Sequence, residues 1–191
     1  MGFKGSGFSF KMDSDDFIFI IGIQPSQYGG QCCVEFGIQP KMVDTNGFNT
    51  VDFKKIKYYN CELRTRLTPS GQGDNWWKYS DDETDNLKLA NQIADLVKDR
   101  ALPIINSFKS NPNILESINS TDLDNNFYKS MANKIGMSLM TTDIRFAWVL
   151  TKVFEKTNIQ KAKEFALYGI NKLDTSNKFF GRRDFERVLA D

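Results

Sequence analysis

The spacing of apolar positions changes once along this chain, from alternation in the first 79 residues to a helical period after residue 80. "GFSFKM" puts Phe8, Phe10 and Met12 on one face, with Ser9 and Lys11 opposite. "DSDD", Asp13 to Asp16, is a polar turn. "FIFIIGIQP" is apolar on both faces: Phe17, Phe19, Ile21 and Ile23 on one, Ile18 and Ile20 on the other. That pattern predicts a central strand covered on both sides, which Pro25 ends. "SQYGG" turns the chain, and "QCCVEFGIQP" alternates with Cys32, Val34, Phe36 and Ile38 on the buried face. Strands joined by short polar turns form an antiparallel meander. The stretch from Pro40 to Asp52 reads as a loop. A fourth strand is expected roughly from Phe53 to Leu67, with Tyr59, Cys61, Leu63, Thr65 and Leu67 on its core face.

The second half reads as helix. Ser80 followed by Glu83 is a capping box, and Asp81 and Asp82 suit the positive end of a helix. Behind it Leu89, Ile93, Leu96 and Val97 recur at helical spacing, and Pro103 is expected to kink or end this helix near Ala101. "SNPN", Ser110 to Asn113, is a turn, and short helical pieces follow around Ile114 to Ile118 and Leu123 to Ile135. From about Thr142, the residues Phe146, Val149, Leu150 and Val153 make one apolar stripe, widened by Ile144, Trp148 and Phe154. Thr157-Asn158 is a tight break. Ala162, Phe165, Ala166, Gly169, Ile170 and Leu173 then share a face, so the two segments predict an antiparallel αα-hairpin with a close-packing Ala/Gly seam. The pair is similar to one tetratricopeptide unit, but no second copy follows at about 34 residues, so local packing is the reading. A last helix carries Phe185, Val188 and Leu189. The fold expected is α+β. It is a single domain over residues 1–191, mainly β over 1–79 and mainly α over 80–191. An N-terminal antiparallel, curved, four-stranded sheet precedes a helical C-terminal half with an αα-hairpin. Helices cover both faces of the sheet only if it curves or they wrap it.

Composition narrows the chemistry. The 191 residues include 16 Phe, 6 Tyr and 3 Trp, ample for a core, and the net charge of +1 gives no electrostatic case for nucleic acid or an anionic membrane. In the basic-looking tail "KFFGRRDFER", Asp184 and Glu186 offset the arginines. The sequence contains no histidine, which excludes Ser-His-Asp and Cys-His catalysis within the chain and every His-containing zinc site. Three cysteines cannot build a four-cysteine site, and Cys32 and Cys33, as strand neighbours, point to opposite faces. The odd count and the absence of a secretory leader pattern suggest a reducing, cytoplasmic location. No run of about 18 apolar residues exists to span a membrane. "MGFKGS" fits the myristoylation pattern on Gly2, yet no polybasic patch stands nearby as a second anchor. Gly71-Gln72-Gly73 lacks the third glycine and the βαβ setting of a dinucleotide loop. Asp13, Asp15 and Asp16 fail as a calcium loop, because the twelfth position is Gln24 rather than Glu. No cofactor and no metal is expected.

The chemistry-bearing residues concentrate in "CELRTRLTPSGQGDNWWKYS", residues 61 to 80. Glu62, Arg64 and Arg66 share the strand face opposite the core face. Thr68-Pro69 ends the strand, Ser70 to Gly73 form a flexible turn, and Trp76 and Trp77 follow. Arginine forks suit bidentate capture of carboxylate or phosphate, and a tryptophan face holds a guanidinium well. Two readings stand side by side. In one, Glu62, Arg64, Arg66, Trp76 and Trp77 line a contact site. In the other, one tryptophan plugs the edge of the core, the other covers arginine stems, and the acidic cluster Asp81 to Asp85 neutralises the arginines. Glu35 and Glu62 are also candidates for facing carboxylates in acid–base work.

The order "GF…F", two apolar strands, "VEFGI", "CELRTRL" and "WW" before an acidic helix start resembles the bacterial family called domain of unknown function 4304. Arg64, Arg66, Trp76 and Trp77 are the matching positions, over about the first 110 residues. The resemblance implies a bacterial source and a shared fold, without a mechanism. Members often begin with a helix ahead of "GF", where this chain has Met1-Gly2, so the expectation is either less cover over one sheet face or a sequence truncated ahead of it. Members also often carry a histidine where this chain has Glu62, so histidine chemistry would not carry over.

Together these readings favour a non-catalytic cytoplasmic module that binds another protein, of an immunity or regulatory type. The alternatives are a small-molecule or nucleotide-handling enzyme using carboxylates and arginines, which requires a pocket with Glu62, Arg64 and a second carboxylate, and a structural oligomer component with both tryptophans at a two-fold interface.

Overall fold

A computed structural model describes residues 2–46, 49–69, 74–124, 126–173 and 178–190. It is α+β: an antiparallel sheet followed by a helical C-terminal half. The sheet has six strands where the pattern predicts four. They are β1 (Lys4–Ser6), β2 (Ser9–Asp13), β3 (Phe17–Pro25), β4 (Gln31–Pro40), β5 (Leu63–Leu67) and β6 (Trp77–Lys78). The order is β1-β2-β3-β4-β5, and β6 pairs with the first residues of β4, in line with β5 along the same edge. The two unforeseen strands are only three and two residues long, too short for alternation to register.

The two-faced reading of β3 holds. Phe17, Phe19 and Ile21 join Val34, Phe36 and Ile38 of β4 and Leu63 and Leu67 of β5 in the main core, against the helices. Ile18 and Ile20 belong to a second, smaller cluster on the opposite face. That face is covered not by a helix but by the segment between β4 and β5, through Val51, Phe53, Ile56, Tyr58 and Cys61. This corrects the long fourth strand. Residues 53–62 are a turn, a 3₁₀ turn at Tyr58–Asn60 and connecting chain, and only Leu63–Leu67 pair with β4. The alternation of Ile56, Tyr58 and their neighbours mimics a strand because these residues bury singly onto Ile18 and Ile20. Cys61 accordingly lies in the second cluster rather than beside Leu63.

Two glycines make room for that cover. A Cβ on Gly22 would fall 1.9 Å from the Tyr58 ring, and one on Gly37 would fall 2.7 Å from Cys61 Sγ. Lys11 Nζ donates to Phe53 O at 3.1 Å and fastens the segment to β2.

Helix α1 (Glu83–Leu96) is capped by Asp82, whose carboxylate accepts from the amides of Thr84 and Asp85. Ser80 instead accepts the Asp82 amide, so the N-cap stands two residues beyond the predicted one and the Ser80–Glu83 capping box does not form. Pro103 does not end the helix. A π-helical turn at Val97–Ala101, closed by the Leu102 amide on Val97 O, leads into α2 (Leu102–Ser110). This wider turn shifts the bonding register just before the residue that lacks a donor. A 3₁₀ turn (Ile114–Ser117), α3 (Ser120–Asp124) and α4 (Phe127–Ile135) follow. An apolar cavity of about 490 Å³ lies between the sheet and α1, lined by Phe3, Phe10, Ile21, Ile23, Ile93 and Val97 among others.

The αα-hairpin is present as α5 (Asp143–Phe154) and α6 (Ile159–Lys172), with Phe154 and Phe165 stacked 6.1 Å apart. Its last helical partner is α7 (Arg182–Ala190). Gly169 serves α7 rather than α5, because its missing Cβ leaves space for the Phe185 ring, which would otherwise stand 2.3 Å away. Gly169→Ala sets a propensity gain of about 1 kcal/mol against overpacking of about 1–3 kcal/mol. Phe185 is fully buried and has nowhere to move, so the substitution is expected to destabilise. Urea unfolding checks this through a lowered midpoint at unchanged slope.

Candidate functional site

The conspicuous residues of β5 fall on the second sheet face, at the end the covering segment leaves partly open. Strand alternation puts Arg64 and Arg66 there, opposite the core-facing Leu63 and Leu67. Glu35 is the register partner of Arg66 on β4, and Gly37 that of Arg64. A carboxylate in the middle of a buried strand requires compensation. Glu35, with its side chain only 4% exposed, receives it from both arginines: Arg66 Nη2 stands 3.4 Å from Oε1 and Arg64 Nε 3.6 Å from Oε2.

Arg66 also grips Asp74 through two hydrogen bonds. The Arg66 guanidinium holds the Asp74 carboxyl below the usual carboxylate range. The Trp76 ring lies over this guanidinium at 5.2 Å, and its indole N–H donates to Asp74 at 3.2 Å. The two tryptophans part company because neighbours along an extended chain point to opposite faces. Trp77, on β6 and paired with Cys32 of β4, packs against the main core. Trp76 covers Arg66. The neutralising carboxylates are Glu35 and Asp74, not the Asp81 to Asp85 cluster, whose Asp82 caps α1 and whose Asp85 pairs with Lys88. The turn from Ser70 to Gly73, with Gly71-Gln72-Gly73, lies outside the described residues.

Glu62 is parted from the arginines of β5. It precedes the strand, its amide donates to Gln39 Oε1 at 3.1 Å, and Gln39 in turn donates to Val43 O at 2.8 Å. Its carboxylate is fully buried and is taken by Arg145 of α5 in a two-pronged pair, both contacts at 3.0 Å. The Arg145 guanidinium also lies over the Phe180 ring at 5.2 Å. Burial raises the Glu62 carboxyl above its usual range, and the hydrogen bond and charge of Arg145 pull it back in part. Glu62, Arg64 and Arg145 line one cavity of about 360 Å³ with Tyr59, Asn60 and Thr141.

Glu35 and Glu62 therefore do not face one another as an acid–base pair; each is spent on arginine. Cys32, Cys33 and Cys61 are free and buried. Burial pushes the Cys33 thiol up to about 11 and lifts those of Cys32 and Cys61 as well, so none supplies a thiolate near neutral pH. Asp13 pairs with Lys41 at 2.6 Å.

Arg145 and Asp74 are the partners that sequence reasoning missed. Arg145 sits 83 residues from Glu62 on a different element, and no local pattern announces it. A signal for Glu35 did exist: it stands on the face of its strand opposite Val34 and Phe36, as Arg64 and Arg66 stand opposite Leu63 and Leu67, so pairing of the two strands brings them to one face.

Arg66→Met strips Glu35 and Asp74 of their main cation and is expected to cost about 3 kcal/mol. Arg64→Met leaves Arg66 in place and should cost about 1 kcal/mol or less. Denaturant unfolding of the two variants checks the contrast.

The Glu62 carboxyl is raised on folding, so the folded state binds the proton more tightly than the unfolded one. Its contribution is most favourable below the ordinary value of 4.5 and declines as pH rises through the higher folded value. Glu62→Gln should flatten that part of the stability-against-pH curve, measured by thermal unfolding between acid and neutral pH.

The family model for the domain of unknown function (DUF4304) matches residues 1–107. No curated protein and no solved structure matches the chain.

Proposed function

The chain belongs to the DUF4304 family, whose name assigns no role, and we propose from the site itself that it is a non-catalytic, cytoplasmic bacterial protein that binds another protein, of an immunity or regulatory type. One observation carries this reading. Arg64, Arg66 and Trp76 form a partly exposed face, the arginine side chains 28% and 19% accessible, whose guanidinium groups are already oriented by the buried Glu35 beneath and by Asp74 at the side. Arginine and tryptophan dominate the energetics of protein contacts, and groups held in place before binding lose less entropy on association. Trp77 leaves the predicted contact set and supports it from below, because its ring packs into the core.

The enzyme alternative asks for a carboxylate free to exchange protons in a cavity. Glu62 lines a cavity with Arg64, but both its oxygens are taken by Arg145, and among the described residues no second carboxylate lines the space. The oligomer alternative asks for both tryptophans at a shared interface, and they point to opposite faces of the sheet.

The test replaces Arg64 and Trp76, both partly exposed, and leaves Arg66 intact. Arg64→Ala with Trp76→Ala should keep the unfolding temperature within a few degrees of wild type and weaken capture of a native-cell partner by about 2 kcal/mol or more. Affinity purification followed by titration of the captured protein measures this. Identical partners at identical affinity, or none for the wild type, would sink the reading.

A further inference from the structure

The cavity of about 360 Å³ between the Tyr58–Asn60 turn, the start of β5 and the N-terminus of α5 has a chemistry that the protein-contact face does not use. Two guanidinium groups line it, Arg64 and Arg145, and among the described residues Glu62 is the one acidic side chain in its lining. Glu62 is charge-matched internally, by Arg145. Arginine carries about five N–H donors, and Arg145 spends two of them on Glu62. Arg64 gives one to Tyr59 O at 3.3 Å and approaches Glu35 only at 3.6 Å. Both cations therefore keep unspent donors, with side chains 28% and 37% exposed for Arg64 and Arg145.

A further observation points the same way. Thr141, which also lines the cavity, has a buried hydroxyl oxygen without a hydrogen-bond partner. A buried hydroxyl left unpaired is costly, and such a group in a native site calls for a partner. The first-turn amides of α5, behind its cap Thr142, add partial positive charge. Asp143 in that turn is engaged by the Tyr168 hydroxyl at 2.7 Å. The volume suits a compact metabolite rather than a dinucleotide.

We propose that this cavity binds a small oxyanion, the phosphate or carboxylate group of a small molecule, between the Arg64 and Arg145 guanidinium groups with the Thr141 hydroxyl as a further donor. The ligand is recognised by planar N–H forks that match its oxygens. This goes beyond the protein-contact reading and shares only Arg64 with it.

Isothermal titration with inorganic phosphate, adenosine monophosphate and malonate tests the proposal on the full chain. Saturable one-to-one binding of at least one probe is expected. Phosphate or the monophosphate without malonate identifies the phosphate source of the charge, and malonate alone identifies the carboxylate source. Arg64→Gln should weaken the binding about tenfold or more. Thr141→Val keeps the side-chain shape and removes an unpaired hydroxyl. It should therefore leave thermal stability unchanged or higher while weakening the probe several-fold. Trp76→Ala, which alters only the protein-contact face, should bind the probe as the wild type does, so the two proposals fail separately. No binding of any probe at millimolar concentration overturns the inference. So does binding that survives Arg64→Gln unchanged, or an equal loss in Trp76→Ala.

Discussion

Strands β3 and β4 are buried on both faces, and this double burial governs most of what surrounds them. A sheet with one wet face needs one layer of cover; this one needs two. The helices provide the first, through a core that runs from Phe17, Phe19 and Phe36 to Phe146, Trp148 and Phe165. The segment between β4 and β5 provides the second, and it is thin. Gly22 and Gly37 allow Tyr58 and Cys61 to lie directly on the strands, where side chains at those positions would hold them off.

Burial of the second face also explains the polar network. Glu35 lies on that face of β4, among Cys33 and Gly37, with little access to water. Its charge is tolerable only because Arg64 and Arg66 stand beside it on β5. The same arrangement fixes the arginines, so the compensation of a buried carboxylate yields an oriented cationic face. Asp74 and Trp76 then close over Arg66. A structural requirement and a recognition surface are here one set of contacts.

The helical half contributes one charge to this neighbourhood, Arg145 on the first turn of α5. It neutralises Glu62, and with Arg64 it borders a cavity rich in donors. Buried pairs of this kind are weak sources of stability but break at high cost, which favours retention of geometry over gain of energy. Gln39 serves the same end, holding Val43 and Glu62 in fixed relation to β4.

The periodic elements are written in the local pattern of residues: β2 to β4, the two faces of β3, the αα-hairpin and the burial of Leu63 and Leu67. These follow from the alternation of side chains along strands and the recurrence of apolar residues around helices, both local properties of a backbone with fixed geometry. The sequence also marked Arg64, Arg66, Trp76 and Trp77 as the residues to watch. How they divide depends on contacts between distant elements. Trp77 entered the core, Trp76 turned to Arg66, and Glu62 went to Arg145 instead of joining the arginines of the strand that follows it. Register between β4 and β5 set the Glu35–Arg66 partnership, and the docking of α5 set the Glu62–Arg145 one. Such pairings join residues 31 and 83 positions apart, and no local period encodes them. The covering segment was misread as strand for the same reason: its alternation reflects Ile18 and Ile20 waiting on another element, a demand visible only once the sheet exists.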